Sequence, residues 1–322
     1  MSVLMVVLAA HADVTINTTN FPDAAFRNYL LSEYPSGTIT TAQLQARTTL
    51  EVNNLGISNM KGVEYFTELT RLSCYYNNLT TIDVSSNTKL IYLNVYRNKL
   101  TSITGLANCT VLEQLYLHYN QLTSVSVNNH SALRTLWVNQ NPNLTGLYCW
   151  RNALTNVDVT GCTALKQLKI YNNYNLTSIN GLADCTALTW LDVEDTSFGD
   201  LTAVKSMTSL ETLLAGNTKI TTLETSHSGS LTNLQVGGDT QLTELKCYSE
   251  NLTTLKVTGC TALSTLKCYY NASLAAITGL ADCTALTYLD CEDCAITDLP
   301  GVNNMTGLQT LWCRNNQLMS LE

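Results

Sequence analysis

Leu69-Thr-Arg-Leu72-Ser-Cys74-Tyr-Tyr-Asn77 is the stretch that decides the fold. Its frame, Leu-x-x-Leu-x-[Val/Cys/Leu]-x-x-Asn, starts again at Leu90, Leu112, Leu133, Leu144, Leu165, Leu263 and Leu308. With the Asn replaced it also starts at Leu188, Leu210, Leu231, Leu242 and Leu286. A leucine phrase returning every ~20 to 29 residues implies a solenoid, because one such turn cannot bury its own apolar edge and must stack on neighbours. Inside the phrase, Leu-x-x-Leu-x-Val alternates inward and outward as a parallel β-strand does. The Asn sits at the following bend, where its amide can satisfy buried backbone groups. Asn77, Asn98, Asn120, Asn141, Asn152, Asn173, Asn271 and Asn316 form that series.

The other half of each turn takes two forms. One copies the phrase, as in Leu79-Thr-Thr-Ile82-Asp-Val84 and Leu154-Thr-Asn-Val157-Asp-Val159, and predicts a second strand. The other reads Ile-x-Gly-Leu-x-x-Cys-Thr-x-Leu, at Ile103, Ile179 and Ile277, and predicts a short helical or 3-10 return. Regular turns begin near Arg47, with Leu50, Val52, Leu55 and Ile57. Residues 13–46 do not repeat. A helix start at Asn20-Phe21-Pro22-Asp23, apolar Phe26, Tyr29 and Leu30, a stop at Pro35-Ser36-Gly37 and a second helix near Ala42–Ala46 predict a small helical N-terminal cap. Ser32 to Gln43 has the outline of a calcium loop, but its ligand positions carry Ser32, Tyr34, Ser36, Thr40 and Gln43, without a carboxylate, so no metal site is expected there.

The chain of 322 residues carries 17 Lys plus Arg against 25 Asp plus Glu, a net charge of -8. No basic run could neutralise a phosphate backbone, which excludes nucleic acid as a partner. Ser2 to Ala10 is almost wholly apolar and Ala10-His11-Ala12 has a small-x-small form, so residues 1–12 read as the remnant of a signal peptide with Asp13 following. The run is too short to cross a bilayer, and no transmembrane segment is expected. Twelve cysteines in an exported chain would suggest disulfides. Their placement argues for core slots instead: Cys74, Cys149, Cys247, Cys268, Cys291 and Cys313 all fall five residues after the first Leu, where other turns place Val, Leu or Ile.

The nested Leu-x-x-Leu-x-Cys-x-x-Asn-x-Leu-x-x-Leu-Asp-Val pattern resembles a class of bacterial leucine-rich repeat proteins, and the Gly-Leu returns are similar to internalin-type repeats. The cap Asn20-Phe-Pro-Asp-x-x-Phe-Arg-x-Tyr29 is like those that precede such arrays in surface proteins. The resemblance implies a secreted or cell-surface bacterial binding protein. It says little about the ligand, because the architecture is a display scaffold.

A longer period lies within the spacing. First leucines at 133, 144, 165, 188 and 210 reappear at 231, 242, 263, 286 and 308, each 98 residues later, which marks 133–230 and 231–322 as copies. The intervals 133–144 and 231–242 span only 11 residues. Either each is a half turn that moves the phrase to the opposite face, or each is a bulge within one long turn. The solenoid proper spans 47–322, and the stop at Glu322 within a turn suggests an uncapped, truncated end.

Residues two, four, six and seven places after the first Leu point outward. They hold every Trp and most of the Tyr, and the candidate ligand-binding face is Tyr75, Tyr96, Tyr116, Trp137, Tyr148, Trp150, Tyr171, Trp190, Tyr248, Tyr269, Tyr288 and Trp312. Tyr and Trp combine a large apolar face with a polar handle, as binding surfaces do. The bland reading, rings pairing across rungs of a half-buried sheet, accounts for part of this. Asp192, Glu194 and Asp195, with their copies Asp290, Glu292 and Asp293, form two acidic spots. Lys169 and Lys267, one rung earlier, are expected to pair with Asp192 and Asp290. His11, His118, His130 and His227 are scattered, and no nucleophile elbow, zinc set or phosphate loop is present. The sequence therefore predicts a monomeric, non-enzymatic binder without cofactors, taking a protein ligand, with a glycan or a purely structural stalk as alternatives.

Overall fold

The structure, a computed structural model, describes residues 12–225 and 227–320; the signal-like run Ser2–Ala10 lies outside them. The chain divides into two compact units, residues 1–121 and 122–322.

In the first unit, helix α1 (Ala24–Glu33) begins where Asp23 accepts a hydrogen bond from the Phe26 amide at 3.0 Å. The other Asp23 oxygen accepts from the Ser58 amide and hydroxyl at 2.8 and 2.7 Å, which ties the helix start to the first turn. Helix α2 (Thr41–Ala46) is held by a reciprocal capping box between Thr40 and Gln43. Two residues at would-be calcium-ligand positions are thus engaged in starting a helix. Phe21, Phe26, Leu30 and Ile39 are fully buried, so the cap contributes its own apolar core. Four three-residue parallel strands follow, Thr49–Glu51, Arg71–Ser73, Tyr92–Asn94 and Gln114–Tyr116, with Leu50, Leu72, Leu93 and Leu115 in register and fully buried. On the return side Thr81–Asp83 pairs with Ser102–Thr104.

In the second unit the chain alternates between walls. One wall is an eight-stranded parallel sheet in the spatial order Ser124–Ser126, Gly146–Tyr148, Gln167–Lys169, Trp190–Asp192, Thr212–Leu214, Asn233–Gln235, Thr254–Lys256 and Ile277–Thr278. Opposite it lie the pair Thr135–Trp137 with Asn156–Asp158 and, further along, a five-stranded sheet of Thr222–Glu224, Glu244–Lys246, Thr265–Lys267, Tyr288–Asp290 and Thr310–Trp312. Leu147, Leu168, Leu191, Leu213, Leu234 and Leu255 form one buried leucine ladder along the larger wall. Each fully buried Leu contributes about 1.5 to 3 kcal/mol, so rungs only three residues long hold together through packing between turns.

These pairings decide the question left by the 11-residue intervals. The strand after Leu133 pairs with the one after Leu154, whereas the strand after Leu144 pairs with those after Leu122 and Leu165. The interval is a half turn. The strands that follow Leu122, Leu133, Leu144, Leu154 and Leu165 occupy the two walls alternately without a break. What slips is the phase of the sequence, so that the full phrase changes wall. The same occurs again at Leu231 and Leu242.

The bend after each strand has a fixed form. All positive-φ residues other than glycine among those described, from Asn54 to Asn315, stand seven places after the start of a phrase. A left-handed residue there turns the chain inward, and in most turns the next residue drops into the core, although Leu55, after Asn54, stays exposed. Where that residue is Asn, its amide links two turns: Asn173 Nδ2 donates to the Cys149 and Ile170 carbonyls at 3.0 and 2.7 Å, and its Oδ1 accepts from the Leu154 amide at 3.1 Å. Asn271 repeats this with Cys247, Cys268 and Leu252 at 2.9, 2.8 and 3.0 Å. The 3-10 returns Leu182–Asp184 and Leu280–Asp282 each follow a left-handed glycine; a Cβ on Gly181 or Gly279 would stand 2.3 Å from the Cα of Thr160 or Thr258. All twelve cysteines are free thiols, eleven buried and Cys313 half-buried. Burial pushes the Cys74 and Cys185 thiols up to about 12, so their reactive thiolate forms are suppressed.

Candidate functional site

Three-residue strands, one per rung, place outward side chains in rows that run across turns. In the first unit the row six places after the first Leu holds Tyr75, Tyr96 and His118. Tyr75 and Tyr96 stack at 5.0 Å, and Tyr96 and His118 at 4.6 Å with planes 5° apart. Tyr116 leans on Tyr92 at 5.4 Å. Arg97 lies over both Tyr76 and Tyr119, at 4.9 and 4.8 Å from their ring centres. His118 was missed as a member of this row, although its place in the phrase from Leu112 gives it away.

In the second unit the expected aromatic residues do not share one face. Tyr148, Trp150, Tyr171 and Trp190 lie on or just after strands of the eight-stranded wall; Tyr248, Tyr269, Tyr288 and Trp312 belong to the five-stranded wall, and Trp137 to the short pair. The half turn is the cause: nine half turns separate a residue from its copy, four full turns from Leu144 to Leu231 plus the half turn from Leu133 to Leu144. Each copy of the phrase block therefore displays its outward rows from the opposite wall.

The two displays match in detail. Trp150 stacks on Tyr171 at 5.4 Å with planes 6° apart, and Tyr248 on Tyr269 at 4.5 Å and 5°. The next residue of each row is a carboxylate, Glu194 or Glu292. His227 extends the second stack, 3.9 Å from Tyr248. The bland expectation of ring pairing across rungs is thus part of the answer, and each such pair adds about 0.5 to 1.5 kcal/mol beyond its burial.

The charges differ from expectation. Lys169 is in register with Asp192, and Lys267 with Asp290, as the sequence predicts. Their ammonium groups instead lie over aromatic rings, Lys169 at 4.4 Å from the Trp190 ring centre and Lys267 at 5.2 Å from that of Tyr288. Outward positions two and four both lie within a lysine's reach, and the half-buried ring offers a cation contact with less desolvation than the buried carboxylate. Burial pushes Asp192 up to about 6, and also raises Asp290 and Glu194; beside Glu194, Asp195 adds to the effect. The acidic spots are Asp192, Glu194 and Asp195 on one wall and Asp290, Glu292 and Asp293 on the other. Asp195 and Asp293 occupy the left-handed bend, where each accepts a hydrogen bond from the next rung's Asn, Asn217 at 3.1 Å and Asn315 at 2.7 Å.

This arrangement offers broad, half-buried aromatic rows edged by carboxylates on two walls. Such surfaces suit contact with another macromolecule. Among the described residues no helix is long and apolar enough to cross a membrane.

The repeat, its asparagine ladder and its half-turn strands define a leucine-rich repeat solenoid, and the chain belongs to the leucine-rich repeat proteins, with internalin-like repeats. The family of leucine-rich repeats in two copies matches residues 284–322. Internalin J of Listeria monocytogenes is 41% identical over 71 residues, a stretch that is 21% of this chain and 8% of that protein. The solved functional domain of InlJ from Listeria monocytogenes, which includes a cysteine ladder, is 31% identical, with 98% of this chain and 74% of that one covered and a TM-score of 0.37. A solved internalin from the same species, InlF, is 24% identical, with 98% and 95% covered and a TM-score of 0.36.

Proposed function

We propose that this chain is a non-enzymatic protein-binding module, secreted or displayed at a bacterial cell surface, that engages its ligand through the outward aromatic rows. The observation that carries the reading is the repetition of one pattern, two stacked rings followed by a carboxylate, on opposite walls of the second unit. Rings held in ladders are preorganised, so little rotamer freedom is lost when a partner covers them. The leucine-rich repeat architecture and the likeness to internalin J support a binding role at the cell surface. A glycan would need open ring faces on which to stack its sugars. Trp150 with Tyr171, and Tyr248 with Tyr269, turn those faces toward each other, which favours a protein ligand meeting ring edges and phenol hydroxyls. We take the binding form to be a monomer.

The test is a screen of the chain against protein and glycan arrays, repeated with Trp150→Ala/Tyr171→Ala and with Tyr248→Ala/Tyr269→Ala. The proposal expects a protein ligand whose signal falls at least about tenfold, roughly 1.4 kcal/mol, in one or both double variants. A glycan signal with the same dependence would replace it. Silence on both arrays would favour a structural stalk.

A further inference from the structure

The two acidic spots differ in what the next rung sets beside their central glutamate. In the second copy Glu292 does not stand alone: Arg314, on the next rung, donates from Nε to Glu292 Oε1 at 2.9 Å. The corresponding place in the first copy, 98 residues earlier, is Gly216. Glu194 nevertheless leans the same way, its Oε1 3.4 Å from where a Cβ on Gly216 would stand. No side chain can grow from that place without displacing the backbone, because the same Cβ would stand 2.5 Å from the Gly237 carbonyl oxygen. The next rung carries Gly237, which is bare as well, with the Lys256 stem 3.4 Å from its would-be Cβ. Lys256 acts on Glu194 electrostatically but closes no ion pair with it among the described residues. Glu194 is left as a half-buried carboxylate aimed over a glycine floor, with Tyr171 one rung behind it.

We propose that this place is a socket for an arginine side chain of a protein partner, the guanidinium taking the position toward Glu194 that Arg314 takes toward Glu292. The occupant's chemistry is read from the molecule itself. The same residue of the same phrase holds a guanidinium in the other copy, and Arg97 in the first unit lies over tyrosine rings, so both contacts the socket offers already have examples in this chain. A guanidinium is planar, keeps its charge at all relevant pH, and forms paired contacts with a carboxylate while lying against an aromatic ring, which an ammonium cannot match. The chain's net charge of -8 favours approach of a cationic segment. The second-copy site is the same socket already filled from within.

The inference rests on the reading that these walls bind protein, but its test does not use the array ligand. Hexa-arginine and hexalysine peptides are titrated calorimetrically into the full chain at low ionic strength, with Glu194→Gln, Glu292→Gln and Arg314→Ala alongside. Hexa-arginine should bind at one site, about tenfold weaker in Glu194→Gln and unchanged in Glu292→Gln, and should exceed hexalysine. Arg314→Ala should raise the stoichiometry from one to two, a gain that misfolding cannot imitate. Equal weakening by the two Gln variants, hexalysine binding as tightly as hexa-arginine, an unchanged stoichiometry in Arg314→Ala, or no binding would overturn the socket. If the array ligand still depended on Trp150 and Tyr171, the broader proposal would survive that result.

Discussion

Asn141 and Asp239 occupy the same place in the two copies, eight residues into the phrase that precedes each half turn, and both are fully buried. Asn141 donates from Nδ2 to the Val138 carbonyl at 2.7 Å and accepts from the Leu122 amide at 3.0 Å. Asp239 accepts from the Thr218 amide and hydroxyl at 2.5 and 2.9 Å with Oδ1, while Oδ2 finds no partner. At the next bend, eleven residues on, Asn152 is replaced by Glu250, which accepts from the Thr225 hydroxyl and the His227 and Gly229 amides at 2.8, 2.8 and 3.0 Å. The first copy thus changes wall on two neutral amides and the second on two carboxyls, one well satisfied and one not. The backbone path tolerates either. An amide both donates and accepts, and a carboxylate can only accept, so the ladder's carbonyls lose their donor unless the acid carries a proton. Burial pushes Asp239 up to about 7 in keeping with this.

The largest expected effect tests where the copies agree. Asn173→Ala and Asn271→Ala each remove three buried hydrogen bonds of matching geometry, and each should cost about 2 to 4 kcal/mol in urea unfolding. Costs differing by more than about 1 kcal/mol would break the equivalence of the copies at the level of the ladder.

The next tests where they differ. Asp239→Asn should stabilise the chain at neutral pH by on the order of 1 to 3 kcal/mol, and Asn141→Asp should destabilise it by a similar amount. The pH dependence has a definite sign. The folded carboxyl, raised to about 7 from an ordinary 3.8, keeps a proton that the unfolded chain releases between those values. Stability from this group is therefore greatest below pH ~4, falls as pH rises to about 7, and is level above. Melting temperatures across that range should decline less steeply in Asp239→Asn, and an identical slope in wild type and variant would refute the assignment.

The smallest effect concerns the cations. Lys169→Met and Lys267→Met should each cost roughly 0.5 to 1 kcal/mol or less, since both rings are half-buried. A larger loss for Lys169, whose ring is the indole and whose contact is shorter, would sharpen the comparison between walls. Quenching of Trp190 fluorescence provides a readout independent of stability.

Much of this was legible in the sequence. The Leu ladder and the Asn series follow from residue spacing because each position has one burial state in every turn. The Cys slots follow for the same reason, since Cys247, Cys268 and Cys291 stand where Val138 and Val236 do. What spacing could not reveal was the wall. Leu133 and Leu144 alternate inward and outward identically whether the interval between them is a half turn or a bulge, and only the pairing of Gly146–Tyr148 with Ser124–Ser126 separates the two. Nor could it reveal side-chain choice among outward rows: Lys169 has Trp190 and Asp192 both within reach, and the ring prevails through geometry. Asp239 and Glu250 were overlooked because an acid in an Asn column reads as an ordinary substitution until its burial is known.

The central claim, that each 11-residue interval carries the phrase to the opposite wall, is most directly tested by cross-linking across rungs. Ser126 and Tyr148 are register partners on the eight-stranded wall, and Trp137 pairs with Asp158 on the other. Ser126→Cys/Tyr148→Cys should form a disulfide under mild oxidation, identified by mass mapping, because neighbouring strands lie ~4.8 Å apart, within disulfide reach. Trp137→Cys/Tyr148→Cys should not. A bridge between positions 137 and 148 with none between 126 and 148 would place both phrases on one wall and contradict the account.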